Sequence, residues 1–487
     1  MKLLLGSNLY EYDIRGLLQA FFPWEKFVTD EAAEDPDCLS VFFTEGAGEN
    51  GLDRADLSFT LGGYHRSERI SLVLSDVKTA KSALKRTLYA ILSEATGRSL
   101  PWGTLTGIRP TKIAMDVLTH GGSGAEVLRH MTEDQLVSER KARLSLEIAE
   151  RERAMLSRLR EEGISLYVGI PFCPTTCLYC SFSSFTIGAY EKRVPEYIGA
   201  VAREIDVIKS LFPDTPVHSV YFGGGTPTSL SAEDLAVLLK KVQDTFDLSR
   251  TVEWTVEAGR PDSVTEEKLA MLKRFPVTRI SVNPQTLHQK TLDLIGRRHT
   301  VDDFYRAYRL ARELGFDNVN TDLIFGLPGE TAADMKETVL GIRDLHPDSV
   351  TVHSLAIKRS SRLNLMKDVY EGYRMENSDE MMEFTEDCLR EAGLRPYYLY
   401  RQKNMAGNLE NVGYATEGKE CYYNVLIMEE IESIPAAGAG ASSKRVDVKE
   451  NRITRAANAH DVETYLKNFD EMMERKRRLF SDPQNET

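Results

Sequence analysis

The sequence predicts an α/β protein built around a partial (β/α)6 barrel, with an N-terminal α+β domain and a C-terminal, mostly helical extension. Three observations carry that prediction. From Leu166 onward short apolar strands alternate with amphipathic stretches, the pattern of parallel strands joined by crossover helices. Six such units follow one another, too few for a closed eight-fold barrel. The cysteines, glycines and polar residues suited to chemistry stand at the C-terminal ends of these strands, where function gathers in barrels of this kind.

The elements read in order as follows. Residues 1–160 form the first domain. In it "DLSFTLGGYHRSERISLVLS" (57–76) predicts two strands around a Gly-Gly turn, and helical patterns cover 77–96 and 132–161. The core is expected over 161–385. Its strands lie at 165–172, 217–225, 253–259, 279–286, 318–327 and 349–357. Amphipathic stretches at 195–212, 231–246 and 331–345 separate them, with Ser231 and Thr331 as N-caps. Residues 386–487 form the extension, with "YYLY" (397–400) expected as a buried strand and a basic helix near 461–480.

Composition narrows the function classes. The 487 residues are 42% apolar and 28% charged, an ordinary globular balance. No apolar run approaches the ~18 residues of a membrane span, and the N-terminus lacks a signal-peptide layout. A cytoplasmic protein is expected. A net charge of −13 argues against a nucleic-acid binder that tracks phosphates. Six cysteines in so long a chain do not make a disulfide scaffold, and a reducing compartment leaves thiols free for metal.

Three of those cysteines fall in one loop. The first strand runs directly into Cys173-x-x-x-Cys177-x-x-Cys180. Such thiols are either small buried hydrophobes, part of a zinc site, or iron ligands. Zinc asks for four ligands, and neither a second CxxC nor a nearby His completes a tetrahedron. A tight triplet fits an iron–sulfur cube with three irons held and a fourth left open. The second strand ends in Gly223-Gly-Gly-Thr-Pro-Thr228. This is either an ordinary βα turn or a place where backbone approaches a ligand closely. The third strand ends at Glu257, the fourth carries Asn283 and Gln285, and the fifth carries Asp322. Each alone could cap a helix, but together they supply the acceptors and amides a ribose requires. Arg297, in "LIGRRHT", is a solvated helix-end charge or a carboxylate clamp.

CxxxCxΦC, with Tyr179 as the aromatic residue, resembles the signature of radical SAM enzymes, and residues of about 165–445 resemble that superfamily's core. The resemblance implies a [4Fe–4S] cluster whose open iron chelates S-adenosyl-L-methionine, yielding a 5′-deoxyadenosyl radical. "YVGIPFC", "GGGTPT", "NPQT" before "LIGRRHT", and "DLIFGLPGE" together resemble oxygen-independent coproporphyrinogen III oxidases. The N-terminal extension and "YYLYRQKNMAGNLENVGY" resemble the HemZ-type subgroup, named as coproporphyrinogen dehydrogenases. On that resemblance Cys173, Cys177 and Cys180 ligate the cluster. Tyr167, Tyr179, Gly224, Gly225, Thr226, Glu257, Gln285, Arg297, Asp322 and Ala356 match positions that contact S-adenosyl-L-methionine.

The implied reaction is oxidative decarboxylation of coproporphyrinogen III propionates to vinyl groups, giving protoporphyrinogen IX in haem biosynthesis. A low-potential electron donor such as flavodoxin is the implied partner. Two positions depart from the oxidases: Gly169 stands where they have His, and Phe182 where they have a non-ligand Cys. Phe182 is shared with the haem-chaperone branch, whose His-Asn-x-x-Tyr-Trp motif this sequence lacks. A haem carrier on the same fold and a radical SAM enzyme with another substrate therefore stay open as alternatives. A substrate with four carboxylates needs cations, and Arg260, Arg298, Lys358, Arg359 and Arg401 are candidates, each weighed against ordinary solvated surface. "AAGAGASS" (436–443) lacks full GxGxxG spacing, and the resemblance implies a loop closing on the barrel mouth. Cys38, Cys388 and Cys421 are isolated and read as structural. No residue is singled out as catalytic.

Overall fold

A hairpin sets the pattern of the N-terminal region. The computed structural model describes residues 1–481 apart from 24, 30–34, 108, 160–161, 183, 359–360, 366–371, 374, 376 and 403–408. It divides into two compact units, Met1–Glu150 with Leu399–Glu410, and Arg151–Tyr398 with Asn411–Thr487. In the first, β1 (Lys2–Leu5), α1 (Glu11–Phe21), β2 (Cys38–Thr44), β3 (Asp53–Leu61), β4 (Tyr64–Leu72) and α2 (Val77–Thr96) follow in order. The strands form one sheet in the order β1-β2-β3-β4. The expected Gly-Gly turn joins β3 to β4, with both Gly62 and Gly63 at positive φ, as a two-residue hairpin requires. Apolar faces of α1 and α2 bury Leu17, Phe21, Leu84 and Leu88 against Leu39, Val41, Leu57 and Phe59. Asp76 caps α2 and Gly97 ends it in the left-handed conformation.

Helices α3 (Thr111–Thr119), α4 (Gly124–Arg129) and α5 (Glu139–Leu156) complete the N-terminal region. The helical pattern expected from 132 begins only at Glu139, because His130–Asp134 is taken up by a π-helical turn. The same unit holds Arg401. It is 3% exposed, donates to the Leu105 carbonyl at 2.6 Å and lies over the Trp102 ring. Burial lowers its guanidinium to about 10. Arg401 is thus internal to this unit, which removes it from the substrate-facing cations expected at the strand ends.

The second unit carries the βα series: β5 (Ile164–Ile170), β6 (Phe172–Cys173), β7 (Phe185–Thr186), α6 (Val194–Leu211), β8 (Val217–Gly224), α7 (Ala232–Thr245), β9 (Glu253–Glu257), α8 (Glu266–Leu272), β10 (Arg279–Ser281), α9 (Gln289–Leu294), α10 (Val301–Glu313), β11 (Val319–Phe325), α11 (Ala332–Arg343) and β12 (Ser349–Ser354). β5, β8, β9, β10, β11 and β12 are neighbours in chain order and all parallel. Their residues are almost wholly buried, as strands covered on both faces must be. Ser231 and Thr331 do cap α7 and α11 by accepting from the N–H groups of Asp234 and Asp334. β10 ends at Ser281, well short of the expected 286, because Pro284 has no N–H to donate and Gln285 turns to φ 68°.

After α12 (Arg362–Leu365) and α13 (Asp379–Glu391), the chain departs from the expected mostly helical extension. Among the described residues five strands occur there: β13 (Arg395–Tyr400), β14 (Asn411–Ala415), β15 (Ala436–Ala437), β16 (Ser442–Asp447) and β17 (Arg452–Ala457), with α14 (Tyr422–Glu429), α15 (Val462–Lys467) and α16 (Phe469–Ser481). β14 pairs antiparallel with β12, while β15 pairs parallel with β5. Tyr397 and Tyr398 are buried in β13, as expected of "YYLY".

The Gly/Ala run does more than close as a loop. Ala436 and Ala437 pair with Tyr167 and Val168, and small residues are needed because a Cβ at Gly438 would lie 2.3 Å from the Gly169 carbonyl oxygen. A buried charge anchors this edge. Glu204 on α6 accepts from the Gly438 N–H, Asn458, Tyr465 and the Lys476 ammonium. Glu204 and Lys476 are both at most 1% exposed.

Candidate functional site

The site begins where β5 stops. Beyond Ile170 the chain pairs briefly through β6 with β7, which carries Cys173 into the loop. The glycine turn after β8 holds that loop from beside it. Gly225 N–H donates to the Ile170 carbonyl and Thr226 N–H to the Phe172 carbonyl, both at 2.7 Å. A Cβ at Gly225 would sit 2.6 Å from the Phe172 oxygen, so only glycine permits this approach. Gly224 has φ 108°, a conformation that also demands glycine. The Thr226 hydroxyl lies 3.4 Å from Cys173 Sγ.

The two other thiols have their own supports. Arg260 Nη1 reaches Cys177 Sγ at 3.5 Å, and the Ser184 hydroxyl lies 3.7 Å from Cys180 Sγ. Leu178 packs with Leu292, Ile295, Ile324, Leu327, Leu355 and Leu363, and its N–H donates to the Ile295 carbonyl. Burial pushes the Cys173 thiol up to about 11 and raises Cys180 as well, with neighbouring loop cysteines adding to both. Among the described residues no group of three or more His, Cys, Asp or Glu gathers as a single-ion site. A mononuclear zinc needs its donors close around one point, whereas a cube lets each thiolate bind a separate iron. Three thiolates on one loop, each able to bind its own iron, are the donor set that a four-iron cube takes.

Beyond the loop the strand ends converge. Tyr167 stacks on Tyr221 and Tyr423, with ring centroids 6.1 Å away in each case. The Tyr221 hydroxyl donates to Glu257 Oε1 at 2.5 Å. Asn283 Nδ2 donates to Asp322 Oδ2 at 2.8 Å, Asn320 Nδ2 to Asp322 Oδ1 at 2.7 Å, and Gln285 N–H to the Asp322 carbonyl. Tyr179 is held above its ordinary range by burial. Arg297 is 5% exposed and donates to the carbonyls of Asn283, Pro284 and Gly259, but its Nε has no partner. Burial works against its charge, yet Tyr179 and Cys177 beside it more than compensate and hold the guanidinium above its ordinary value. An unspent, buried N–H on a cation fits an anionic ligand group.

The structure thus brings Tyr167, Gly224, Gly225, Thr226 and Glu257 together on the first three strands, and Gln285 with Asp322 on the next two. Tyr179 and Arg297 stand beside the cysteines. Ala356 lies just past the end of β12.

Of the expected cations, Arg298 and Lys358 are exposed, with Lys358 5.5 Å over the Phe182 ring, and Arg359 lies outside the described residues. Arg260 is 2% exposed, with every donor already engaged, so it has none left for a substrate carboxylate. Sequence reasoning missed Tyr221, Tyr423 and Asn320. Tyr221 could have been found from period-2 alternation, which puts Ser219, Tyr221 and Gly223 on one face. Tyr423 comes from a remote helix with no local signal.

Glu257 gives the site a pH signature. Burial raises its carboxyl to about 7, opposed by the Tyr221 hydrogen bond and reinforced by Asp322. A carboxyl raised in the fold from 4.5 to about 7 leaves stability intact below pH 4.5. The stability declines as pH climbs to 7, by ~3 kcal/mol at ~1.4 kcal/mol per pH unit. Glu257→Gln, whose amide oxygen still accepts from Tyr221, is expected to match the parent Tm at pH 4.5 and exceed it at pH 8. Parallel Tm profiles for the two proteins would contradict this.

Residues 167–340 match the model of the Radical SAM superfamily. The oxygen-independent coproporphyrinogen-III oxidase-like protein HemZ of Bacillus subtilis (strain 168) is 41% identical over 405 residues, 82% of this chain and 81% of its own. Heme chaperone HemW of the same organism is 36% identical over 207 residues, 42% of this chain and 53% of its own. Among solved structures, the coproporphyrinogen III oxidase HemN from Escherichia coli, described as a radical SAM enzyme, aligns with a TM-score of 0.52 at 22% identity. It covers 66% of this chain and 73% of its own, a likeness of fold alone. No helix among the described residues is long and apolar enough to cross a membrane.

Proposed function

The chain belongs to the radical SAM superfamily, among the HemZ-type relatives of oxygen-independent coproporphyrinogen III oxidases. From that premise we propose that it decarboxylates the propionates of coproporphyrinogen III to vinyl groups, giving protoporphyrinogen IX. The observation that carries the reading is the junction of the three-thiol loop with the glycine turn and the buried, partly unspent Arg297. The six consecutive parallel strands are read as the partial barrel around it.

In this reading Cys173, Cys177 and Cys180 hold three irons of a [4Fe–4S] cluster. When bound, the reduced cluster and S-adenosyl-L-methionine supply the radical that takes a hydrogen from the propionate β-carbon. The chain's own groups bind and orient. Gly224, Gly225 and Thr226 would line the methionine end of the cosubstrate, with the Gly224 and Gly225 carbonyls available to it because the Gly225 and Thr226 N–H groups are spent on the cysteine loop, and Arg297 would offer its free N–H to a carboxylate. Glu257, Gln285 and Asp322 present acceptors and an amide to a ribose. Tyr167, Tyr179 and Ala356 line the same opening and exclude water from it. Arg298 and Lys358 are the remaining described cations for substrate carboxylates. A flavodoxin-like donor would supply the electron that generates each radical, and a separate electron acceptor would take the electron released when CO2 leaves and the vinyl group forms.

One observation favours a second reading, a haem carrier. Phe182, at the end of the cysteine loop, is 69% exposed, with Lys358 over one face of its ring and the other face open to a flat macrocycle. The test is an anaerobic assay of the reconstituted protein with S-adenosyl-L-methionine, a low-potential reductant and coproporphyrinogen III. Vinyl product and CO2 support the oxidase. Stoichiometric haem binding without vinyl product favours the carrier. Deoxyadenosine formation with neither points to another substrate.

A further inference from the structure

Arg260 stands at the end of the third strand of the series, yet its side chain turns toward the cysteine loop rather than the opening. Nη1 donates to the Thr175 carbonyl at 3.1 Å and to Cys177 Sγ at 3.5 Å. Nη2 donates to the Thr175 hydroxyl at 3.0 Å and to Asp262 Oδ2 at 2.7 Å. Nε donates to Asp262 Oδ1 at 3.0 Å. All five guanidinium N–H groups are thereby spent, and the side chain is 2% exposed. Thr175 in turn donates to the Gly296 carbonyl at 2.9 Å, which ties the same loop to the segment carrying Arg297.

We propose that Arg260 is a positioning residue for the iron–sulfur cluster that sets its reduction potential, with Asp262 as the counter-charge that limits the effect. The proposal rests on the cluster reading above. A hydrogen bond to a ligating sulfur withdraws electron density from it, and a fixed positive charge favours the more negative, reduced state. Both push the potential upward. Asp262, held by two hydrogen bonds to the same guanidinium, offsets part of that charge. The fork geometry also fixes the Cys177 backbone turn, because one guanidinium bonds Thr175 twice and Cys177 once. A lysine at this position would keep the charge but could not make this set of contacts.

The test is an EPR-monitored redox titration of reconstituted protein, with iron and sulfide content measured in parallel. Arg260→Gln is expected to shift the cluster midpoint to more negative potential, and Asp262→Asn to shift it to more positive potential. Opposite shifts from adjacent partners are not produced by simple loosening of the loop. A midpoint in R260Q equal to or above the parent value overturns the proposal, as does a midpoint in D262N equal to or below it. If R260Q fails to assemble a cluster, the D262N shift decides alone. A parent protein that assembles no cluster would sink the cluster reading itself, an outcome distinct from a normal parent cluster with unmoved midpoints.

Discussion

Cys177→Ala protein, reconstituted anaerobically with iron and sulfide, is expected to lack the visible absorbance of a four-iron cluster and to cleave no S-adenosyl-L-methionine. The far-UV circular dichroism should be unchanged. Three thiolates hold three irons in this account, and no fourth thiol is available to substitute. Cys388 and Cys421 are buried in other parts of the same unit, with Cys421 Sγ donating to Glu253. The fold should tolerate the change, since Leu178 and its apolar neighbours anchor the loop independently of the thiol. A full [4Fe–4S] spectrum in the variant would contradict the ligand assignment.

Lys476→Ala is expected to cost ~3–5 kcal/mol of stability, read as a fall in urea midpoint or Tm. The substitution strands Glu204 in an interior where it is 0% exposed. Three neutral partners remain: the Gly438 N–H, Asn458 and Tyr465. They hydrogen-bond the carboxylate but do not neutralise it. The effect should reach the site, because Gly438 sits against Gly169, next to the β15–β5 pairing at Tyr167. Glu204→Gln combined with Lys476→Met removes both charges together and is expected to recover most of the loss. A near-neutral single variant would mean that the ion pair carries little of the anchorage.

The βα series was legible because its strands are short, apolar and punctuated by glycine, and because chemistry-bearing residues fall at their ends. Glu257 does end β9, as read from the sequence, while Tyr167 and Asp322 lie within β5 and β11 and were marked only by the family resemblance and the polar residue in an apolar strand. The C-terminal strands were harder to see. β15 is two alanines long, and nothing local marks Ala436 and Ala437 as a strand; their pairing depends on the bare backbone of Gly438 fitting against Gly169. β16 and β17 carry charged residues along an outer hairpin, where apolar alternation is weak.

The cations were the least legible. Arg260 and Arg401 looked available in sequence, but availability depends on which donors are spent. Arg260 bonds a loop 83–85 residues away, and Arg401 bonds a carbonyl 296 residues away. Arg297, by contrast, keeps one donor free for a reason only packing reveals: its neighbours satisfy both Nη atoms and leave Nε alone.

The proposed function stands on a four-iron cluster in the three-cysteine loop, with one iron open to S-adenosyl-L-methionine. Mössbauer spectroscopy of the 57Fe-reconstituted protein, recorded with and without S-adenosyl-L-methionine, tests it most directly. The expected result is a [4Fe–4S] signal in which one iron of the four changes its isomer shift when S-adenosyl-L-methionine is added. A cluster whose four irons stay unchanged on that addition, or a protein that takes up a single zinc ion in place of iron and sulfide, would contradict it.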